Sequence, residues 1–224
     1  MDGERPGRNG SKPPDMRLFS NPLMGDFVSD WSPVHEAAIH GRLLSLRSLI
    51  NQGWPVNLIT ADRVSPLHEA CLGGHPSCVK ILLRHGANVN SVTVDWHTPL
   101  FNACVSGSHE CVNLLLQYGA SPHPENDLAS PIHEAAKRGH MQCIESLVAH
   151  GGDIDQNIHH LGTPLYMACE NLQVACAKKL LESGPSSLMQ LCRLRIRKCF
   201  GIKQHHKITE LNLPEELKRF LLHI

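Results

Sequence analysis

The chain has 224 residues, equal numbers of basic and acidic side chains (21 each) and only 4% aromatic residues. A neutral chain gives no indication of a nucleic-acid partner, and apolar runs such as Asn113-Leu114-Leu115-Leu116 are far too short to span a bilayer. The first residues lack the apolar core of a signal peptide. We therefore expect an intracellular, cytoplasmic protein, with the mitochondrion and the nucleus left open, that binds neither nucleic acid nor membrane.

Residues 1–28 are rich in Gly, Pro, Ser and Asn and carry charges of both signs. A segment of this composition buries too little apolar area to order itself. We predict a disordered N-terminal arm here, extending to about Asp26.

From Ser32 onward a heptapeptide returns five times, first as Ser32-Pro33-Val34-His35-Glu36-Ala37-Ala38. The later copies start at Ser65, Thr98, Ser130 and Thr163, at intervals of 33, 33, 32 and 33 residues. Self-similarity at this period is typical of a solenoid, in which each unit buries its apolar face against the next. The sequence therefore predicts five stacked units over residues 29–184, with function on their variable surface or where the repetition stops.

The unit that starts at Ser65 illustrates the predicted structure. Ser65 provides an N-cap and Pro66 the first helical residue, where the missing N–H costs nothing. A turn at Gly73-Gly74-His75 leads into a second helix, which Gly86 ends with a positive φ. The seven residues 91–97 allow an extended excursion and return but not a third helix. Each unit is thus a helix, a turn, a helix and a hairpin-like loop.

The nine cysteines and sixteen histidines do not have the spacing of a metal site. Four cysteine pairs are each separated by seven residues, two helical turns, and not by the C-x-x-C spacing that zinc prefers: Cys71/Cys78, Cys104/Cys111, Cys169/Cys176 and Cys192/Cys199. Several histidines recur with the repeat, which indicates a structural role: His35, His68 and His133 in the heptapeptide, and His75, His109 and His140 after the turn. We predict no metal site, no cofactor and no catalytic residue, since phosphate-loop and nucleophile-elbow motifs are also missing.

The repeated pattern resembles the ankyrin repeat over about residues 32–184. It reads Thr/Ser-Pro-Leu-His-x-Ala, then Gly-His, then Leu-Leu-x-x-Gly-Ala-x-Val-Asn. The resemblance implies an all-α fold, an ankyrin-repeat solenoid of helix-turn-helix units with hairpin loops. The third unit departs from the pattern at Asn102. Tyr166 replaces the histidine of the fifth unit, so the side-chain bonds of that histidine should be lost there.

After Gly184 the repeat pattern stops, and residues 185–224 carry 8 basic against 3 acidic side chains. The segment contains one apolar stripe on a predicted helix, formed by Leu188, Leu191, Cys192, Ile196 and Cys199. A second amphipathic element has Pro214 at its start and two glutamates in its first turn. By themselves these residues are consistent both with a helix that caps the solenoid and with one that binds a partner.

The C-terminal segment resembles the SOCS box, a small helical module that recruits a ubiquitin ligase. The resemblance lies in the pattern Ser187-Leu188-x3-Cys192-x3-Ile196, which is followed by Leu211-Asn212-Leu213-Pro214. Repeats followed by this box resemble the ankyrin repeat and SOCS box family. The resemblance implies that residues 185–224 bind elongin B and elongin C through Ser187, Leu188, Cys192 and Ile196. It implies binding of the fifth cullin, with its RING protein, through Leu211, Leu213 and Pro214, although Asn212 replaces the proline usual in the family.

The expected function is that of a non-catalytic adaptor. The repeats would hold a folded intracellular substrate protein while the box docks on an elongin–cullin–RING ligase, which promotes ubiquitination and proteasomal degradation. The alternative is an ankyrin scaffold that binds or sequesters a partner without a ligase. The abrupt end of the repetition also suggests a shortened form, with either an exposed edge or a box packed on repeat five.

We expect the substrate at the loop tips, where the units differ. The tips are Ala61-Asp62-Arg63, Val94-Asp95-Trp96-His97, Asn126-Asp127-Leu128 and His159-His160-Leu161, with Phe27 and Trp31 as additional candidates. Trp96 is the leading candidate, because tryptophan is frequent among binding hot spots. Its alternative role is packing against the neighbouring loop. The aspartates of the tips fit turn formation better than contacts with a partner.

Overall fold

A computed structural model of the protein describes residues 31–123 and 130–183. Within these ranges ten α-helices form five successive pairs, which confirms the predicted all-α repeat fold. The helices are α1 (Pro33–Ile39), α2 (Leu43–Asn51), α3 (Pro66–Leu72), α4 (Pro76–Arg84), α5 (Pro99–Ser106), α6 (His109–Gln117), α7 (Pro131–Arg138), α8 (Met141–Ala149), α9 (Pro164–Glu170) and α10 (Val174–Ser183). None of them is long and apolar enough to cross a membrane. The predicted N-terminal arm, the tip residues Asp127 and Leu128, and the box of residues 185–224 lie outside the described residues.

Every odd-numbered helix begins at the proline of the heptapeptide, with the preceding Ser or Thr as its N-cap. The hydroxyl of Thr98 accepts a hydrogen bond from the backbone N–H of Phe101 at 3.1 Å. Thr163 does the same for Tyr166 at 3.2 Å. The hydroxyls of Ser65, Thr98 and Thr163 each satisfy one of the N–H groups that the first turn leaves free, while the proline that follows has no N–H to leave unpaired.

The units stack in two layers around one continuous apolar core. Each odd-numbered helix packs on the next odd-numbered helix, and each even-numbered helix on the next even-numbered one. A cysteine recurs at one buried position of the second helix in units two to five: Cys78, Cys111, Cys143 and Cys176. Burial raises the pKa of the Cys143 thiol to about 11. These cysteines therefore stay protonated and pack as small apolar side chains, as their spacing predicts.

The heptapeptide histidine ties its helix to the loop that precedes the next unit. The Nε2 atom of His68 donates to the carbonyl oxygens of His97 and Ser91 at 3.1 and 3.2 Å. The corresponding ring nitrogen lies 3.0 Å from the carbonyl of Val64 for His35 and 3.0 Å from that of Gly162 for His133. These histidines are structural, in agreement with their recurrence.

Phe101, and not Asn102, holds the histidine position of the third unit. The ring of His97 stacks on it, with the ring centroids 4.3 Å apart. Asn102 donates through Nδ2 to the carbonyl oxygen of His68 at 3.3 Å. In the fifth unit the hydroxyl of Tyr166 lies 3.5 Å from the carboxylate of Glu170. Stacking therefore replaces the histidine's hydrogen bonds in unit three.

The turn between the two helices of a unit requires a residue in the left-handed region. Four units place a glycine there, Gly41, Gly74, Gly107 and Gly139, with φ between 63° and 81°. The fifth unit has Leu172 at this position, with φ 58°. A side chain in this conformation costs about 1–2 kcal/mol relative to glycine.

Candidate protein-interaction site

Three of the loops between units form the same short hairpin turn. The first is closed by a hydrogen bond from the N–H of Thr60 to the carbonyl of Val64 at 3.0 Å. The second pairs Thr93 with His97 at 3.0 Å, and the fourth pairs Ile158 with Gly162 at 2.9 Å. A tight turn of this kind presents its central residues at the surface of the solenoid.

The tips of the first two loops are exposed and adjacent. Asp62, Arg63, Asp95 and Trp96 are all exposed. The backbone N–H of Val94 donates to the carbonyl oxygen of Asp62 at 3.0 Å, and this bond holds the two loops side by side. The structure thus brings four of the predicted substrate-binding residues together.

Arg63 and Trp96 occupy equivalent tip positions with positive φ, 60° and 62°. Each donates its backbone N–H to the threonine carbonyl three residues earlier, at 2.8 and 3.0 Å. The two aspartates precede these residues inside the turn, as the turn-forming interpretation predicts. The left-handed conformation is costly for arginine and tryptophan, so the hydrogen-bonded turn holds it in place.

The other predicted contact residues differ from these four. His97 is half-buried, because its ring stacks on Phe101 in the first turn of α5. His159 and His160 are exposed on the fourth loop. The fourth loop therefore offers imidazoles, whereas the first two offer a tryptophan, an arginine and carboxylates.

Large apolar side chains are exposed on the first two loops and just before α1. Trp96 is 44% exposed, Ile59 and Val94 are each 58% exposed, and Trp31 is 40% exposed. The indole Nε1 of Trp31 donates to Glu36 at 3.1 Å, which anchors this side chain to the first unit. We call Trp31, Ile59, Arg63, Val94 and Trp96 the tip surface. The sequence did not single out Ile59, because one apolar residue in a polar loop resembles the buried residues of neighbouring units.

The helix layer below the loops carries a row of acidic residues. Glu36 lies 3.1 Å from His40 and 3.8 Å from Arg42. Glu134 pairs with Arg138 one helical turn away. Glu69, at the same repeat position, is only 7% exposed, and burial raises the pKa of its carboxyl group. This layer therefore combines paired carboxylates with one that is largely desolvated.

Two family models match the chain. The model of ankyrin repeats (3 copies) matches residues 34–126 and 122–189, and that of the SOCS box matches residues 184–222. The fold and these matches define an ankyrin-repeat protein that carries a SOCS box.

The relatives of the chain have the same two parts. It is 60% identical to the mouse Ankyrin repeat and SOCS box protein 9 over 291 positions and 59% identical to the human one over 294, with 100% of each chain covered. It is 51% identical to the human Ankyrin repeat and SOCS box protein 11 over 89% of this chain and 82% of that one. The chain belongs to the ankyrin repeat and SOCS box family, whose members are non-catalytic adaptors associated with ubiquitin ligases.

The crystal structure of the human ASB11 ankyrin repeat domain matches with a TM-score of 0.68 and 61% sequence identity, covering 70% of this chain and 71% of that one. The relatives are longer than this chain. The mouse alignment has 291 positions and this chain has 224 residues, so 67 positions are not matched by a residue here. That number is close to the length of two 33-residue repeats.

Proposed function

We propose that the chain is the substrate-recognition subunit of an elongin–cullin–RING E3 ubiquitin ligase. The observation that carries the proposal is the SOCS box match over residues 184–222, directly after five ankyrin repeats. The repeats bind a folded intracellular substrate protein, the box recruits the ligase, and the bound substrate is ubiquitinated and degraded by the proteasome.

The recruiting residues lie within the matched box. Leu188, flanked by Ser187 and followed by Cys192 and Ile196, inserts into elongin C, which is bound to elongin B. Burying one leucine contributes about 1.5–3 kcal/mol, which corresponds to roughly one to two orders of magnitude in affinity. Leu211, Leu213 and Pro214 contact the fifth cullin, which brings the RING protein.

The tip surface binds the substrate. Its exposed tryptophans and its arginine are the residue types that dominate protein–protein hot spots. The bond between Val94 and Asp62 fixes the first two loops relative to each other, so little loop entropy is lost on binding. Asp62, Asp95 and the exposed His159 and His160 supply the polar rim that such an interface requires.

The chain contributes proximity to the reaction. A conjugating enzyme carries the ubiquitin thioester, and the ligase scaffold places it near the substrate held by the repeats. Holding a substrate lysine near the thioester raises its effective concentration, which accelerates transfer although no residue of this chain takes part in the chemistry.

Affinity purification from cells tests the proposal. The intact chain should recover elongin B, elongin C and the fifth cullin, and Leu188→Ala should lose all three while retaining the substrate. Leu44→Ala is the matched control, because Leu44 is 81% exposed on the first unit, far from the box in sequence. Recovery of a partner by the intact chain without any elongin would support the scaffold function and overturn the adaptor function.

A further inference from the structure

Three units carry a glutamate at one repeat position of the helix layer below the loops: Glu36, Glu69 and Glu134. Two of these glutamates are paired within their own unit. Glu36 lies 3.1 Å from His40, and Glu134 pairs with Arg138, so the partner in both cases is the residue four positions later. Side chains at this spacing are neighbours on one face of a helix.

Glu69 has no such partner. The residue four positions later is Gly73, which has no side chain. Within residues 31–123 and 130–183 no hydrogen bond or ion pair reaches the carboxylate of Glu69, although the residue is only 7% exposed. Burial, and not a neighbouring charge, raises the pKa of this carboxyl group. A poorly solvated carboxylate without a donor destabilises the free chain, which indicates a role other than stability.

The carboxylate of Glu69 is still open to solvent. Among the described residues, the only fully enclosed side-chain oxygen or nitrogen atom without a hydrogen-bond partner is Oδ1 of Asp155. The oxygen atoms of Glu69 are unpaired as well, so they reach the surface. Leu72 follows one turn later on the same face of α3 and is 41% exposed. A ligand can therefore contact a carboxylate and an apolar side chain together.

This part of α3 lies next to the tip surface. Glu36, at the same position of α1, accepts a hydrogen bond from Trp31 of the tip surface at 3.1 Å. Helix α3 packs on α1, which follows Trp31, and on α5, which follows the loop of Trp96. A protein that contacts both tryptophans spans the position of α3, because α3 lies between these two helices.

The chemistry of the site favours a guanidinium group. Unit two lacks the cation that Arg138 provides beside Glu134 in unit four. Guanidinium is less strongly hydrated than ammonium, so it loses less on meeting a poorly solvated carboxylate, and its fork of N–H groups matches the two carboxylate oxygens. The methylene groups of an arginine pack along exposed apolar surface, which Leu72 offers.

We propose that Glu69 receives an arginine side chain of the bound substrate protein, with Leu72 supporting the methylene groups of that arginine. The arginine completes unit two as Arg138 completes unit four. The inference rests on the proposed function, because the arginine belongs to the substrate that the repeats hold. Unit two is then a specificity-determining site, since a protein without an arginine at this point leaves the carboxylate covered and unpaired.

Peptide binding to the full chain, followed by NMR, tests the assignment. The probe is the blocked tripeptide Gly-Arg-Gly, with matched tripeptides that carry lysine or citrulline, the neutral isostere of arginine. The arginine peptide should shift the amide resonance of residue 69 in a saturable way. The lysine peptide should bind at least about tenfold more weakly, and the citrulline peptide should give no saturable shift.

A matched pair of variants shows where the peptide binds. Glu69→Gln should weaken binding of the arginine peptide by about 10- to 100-fold, the usual effect of losing a hydrogen bond to a charged group. Glu134→Gln should leave the affinity unchanged, because Glu134 holds the same repeat position and is already paired with Arg138. Equal binding of the arginine peptide and either matched peptide, or an affinity that Glu69→Gln leaves unchanged, would overturn the proposal. Failure of the adaptor function would appear separately, as loss of elongin B and elongin C by the intact chain.

The melting temperature of the free chain gives a second test, because a receptor and a structural residue predict opposite signs. Glutamine keeps the shape of glutamate without its charge, and the raised pKa means that the charge costs stability in the folded chain. Glu69→Gln should therefore raise the melting temperature. It should also reduce, by at least about tenfold, the recovery from cells of those proteins that Trp96→Ala loses. A lower melting temperature, or a higher one with unchanged recovery, would overturn the proposal.

Discussion

The Nδ1 atom of His68 accepts a hydrogen bond from the backbone N–H of Ser65 at 3.1 Å, an arrangement available only to a neutral imidazole. The other ring nitrogen donates to the loop of the next unit. Burial lowers the pKa of His68 to about 4, although its carbonyl partners raise it. Burial also lowers the pKa values of His35 and His133.

We therefore expect acid to destabilise the repeats. The unfolded chain binds protons below the ordinary histidine pKa of 6.5, whereas the folded chain does not protonate His68 until about pH 4. The contribution of the neutral histidine to the free energy of unfolding is thus fully present above pH 6.5. It is lost as the pH falls toward 4, and the loss is about 3 kcal/mol for His68 alone. Urea denaturation between pH 7.5 and 4 measures this loss. His68→Phe, which copies Phe101 of unit three, should flatten the profile, and an unchanged slope would contradict the prediction.

Gly107→Ala should destabilise the protein more than Gly119→Ala. Both glycines have positive φ, 73° and 86°, so both substitutions carry the left-handed cost of about 1–2 kcal/mol. Only at Gly107 does the added Cβ meet another side chain, His140, at 2.5 Å, whereas nothing lies within 4 Å at Gly119. Thermal denaturation of both variants measures the difference, and equal melting temperatures would show that His140 moves aside without cost.

The buried cysteines should resist thiol reagents in the native state. Burial raises the pKa of Cys71 and of Cys104, and both side chains are fully buried, so neither thiolate nor access is available. Cys169, at the corresponding position of unit five, is partly exposed. Among the cysteines of residues 31–123 and 130–183, alkylation followed by mass spectrometry should label Cys169 first, with Cys71 and Cys104 labelled only on unfolding. Early labelling of Cys71 would indicate that the second unit opens locally.

Trp96→Ala should weaken substrate binding while leaving the fold intact. The side chain is 44% exposed and forms part of the tip surface, so its loss removes interface area and little core packing. We expect affinity for the substrate to fall by at least about tenfold, the usual effect of losing a hot-spot tryptophan. Quantitative co-purification measures this, with Tyr118→Ala as the matched control, because Tyr118 is an aromatic residue 45% exposed at the end of α6. Equal substrate recovery by both variants would remove Trp96 from the interface.

The parts of the fold that depend on local sequence were predictable. The heptapeptide fixes each helix start through its N-cap and its proline, and Gly86 has the positive φ that its position predicts. The exposed tips followed from the same period, since residues that vary between units are not needed for stacking. The box contacts through Leu188 and Leu213 rest on family resemblance and remain predictions.

The contacts that join different units were not predictable, because they depend on the separation of loops in space. The local stacking of His97 on Phe101 was not predictable either, because it replaces a hydrogen-bond pattern by a ring contact that no sequence period indicates. The bond from Val94 to Asp62, which aligns two loops, involves only backbone atoms.

The bonds that tie one unit to the next have a mechanical consequence. Those of His35, Asn57 and Asn90 join residues 29 or 31 positions apart, which is no further than the neighbouring unit. A tensile load applied at the two ends of the array is therefore passed on from unit to unit, and each unit gives way when its own few bonds break. Stretched in this way, the protein should lengthen in steps of about one repeat, beginning at an end, where a unit has one neighbour and not two.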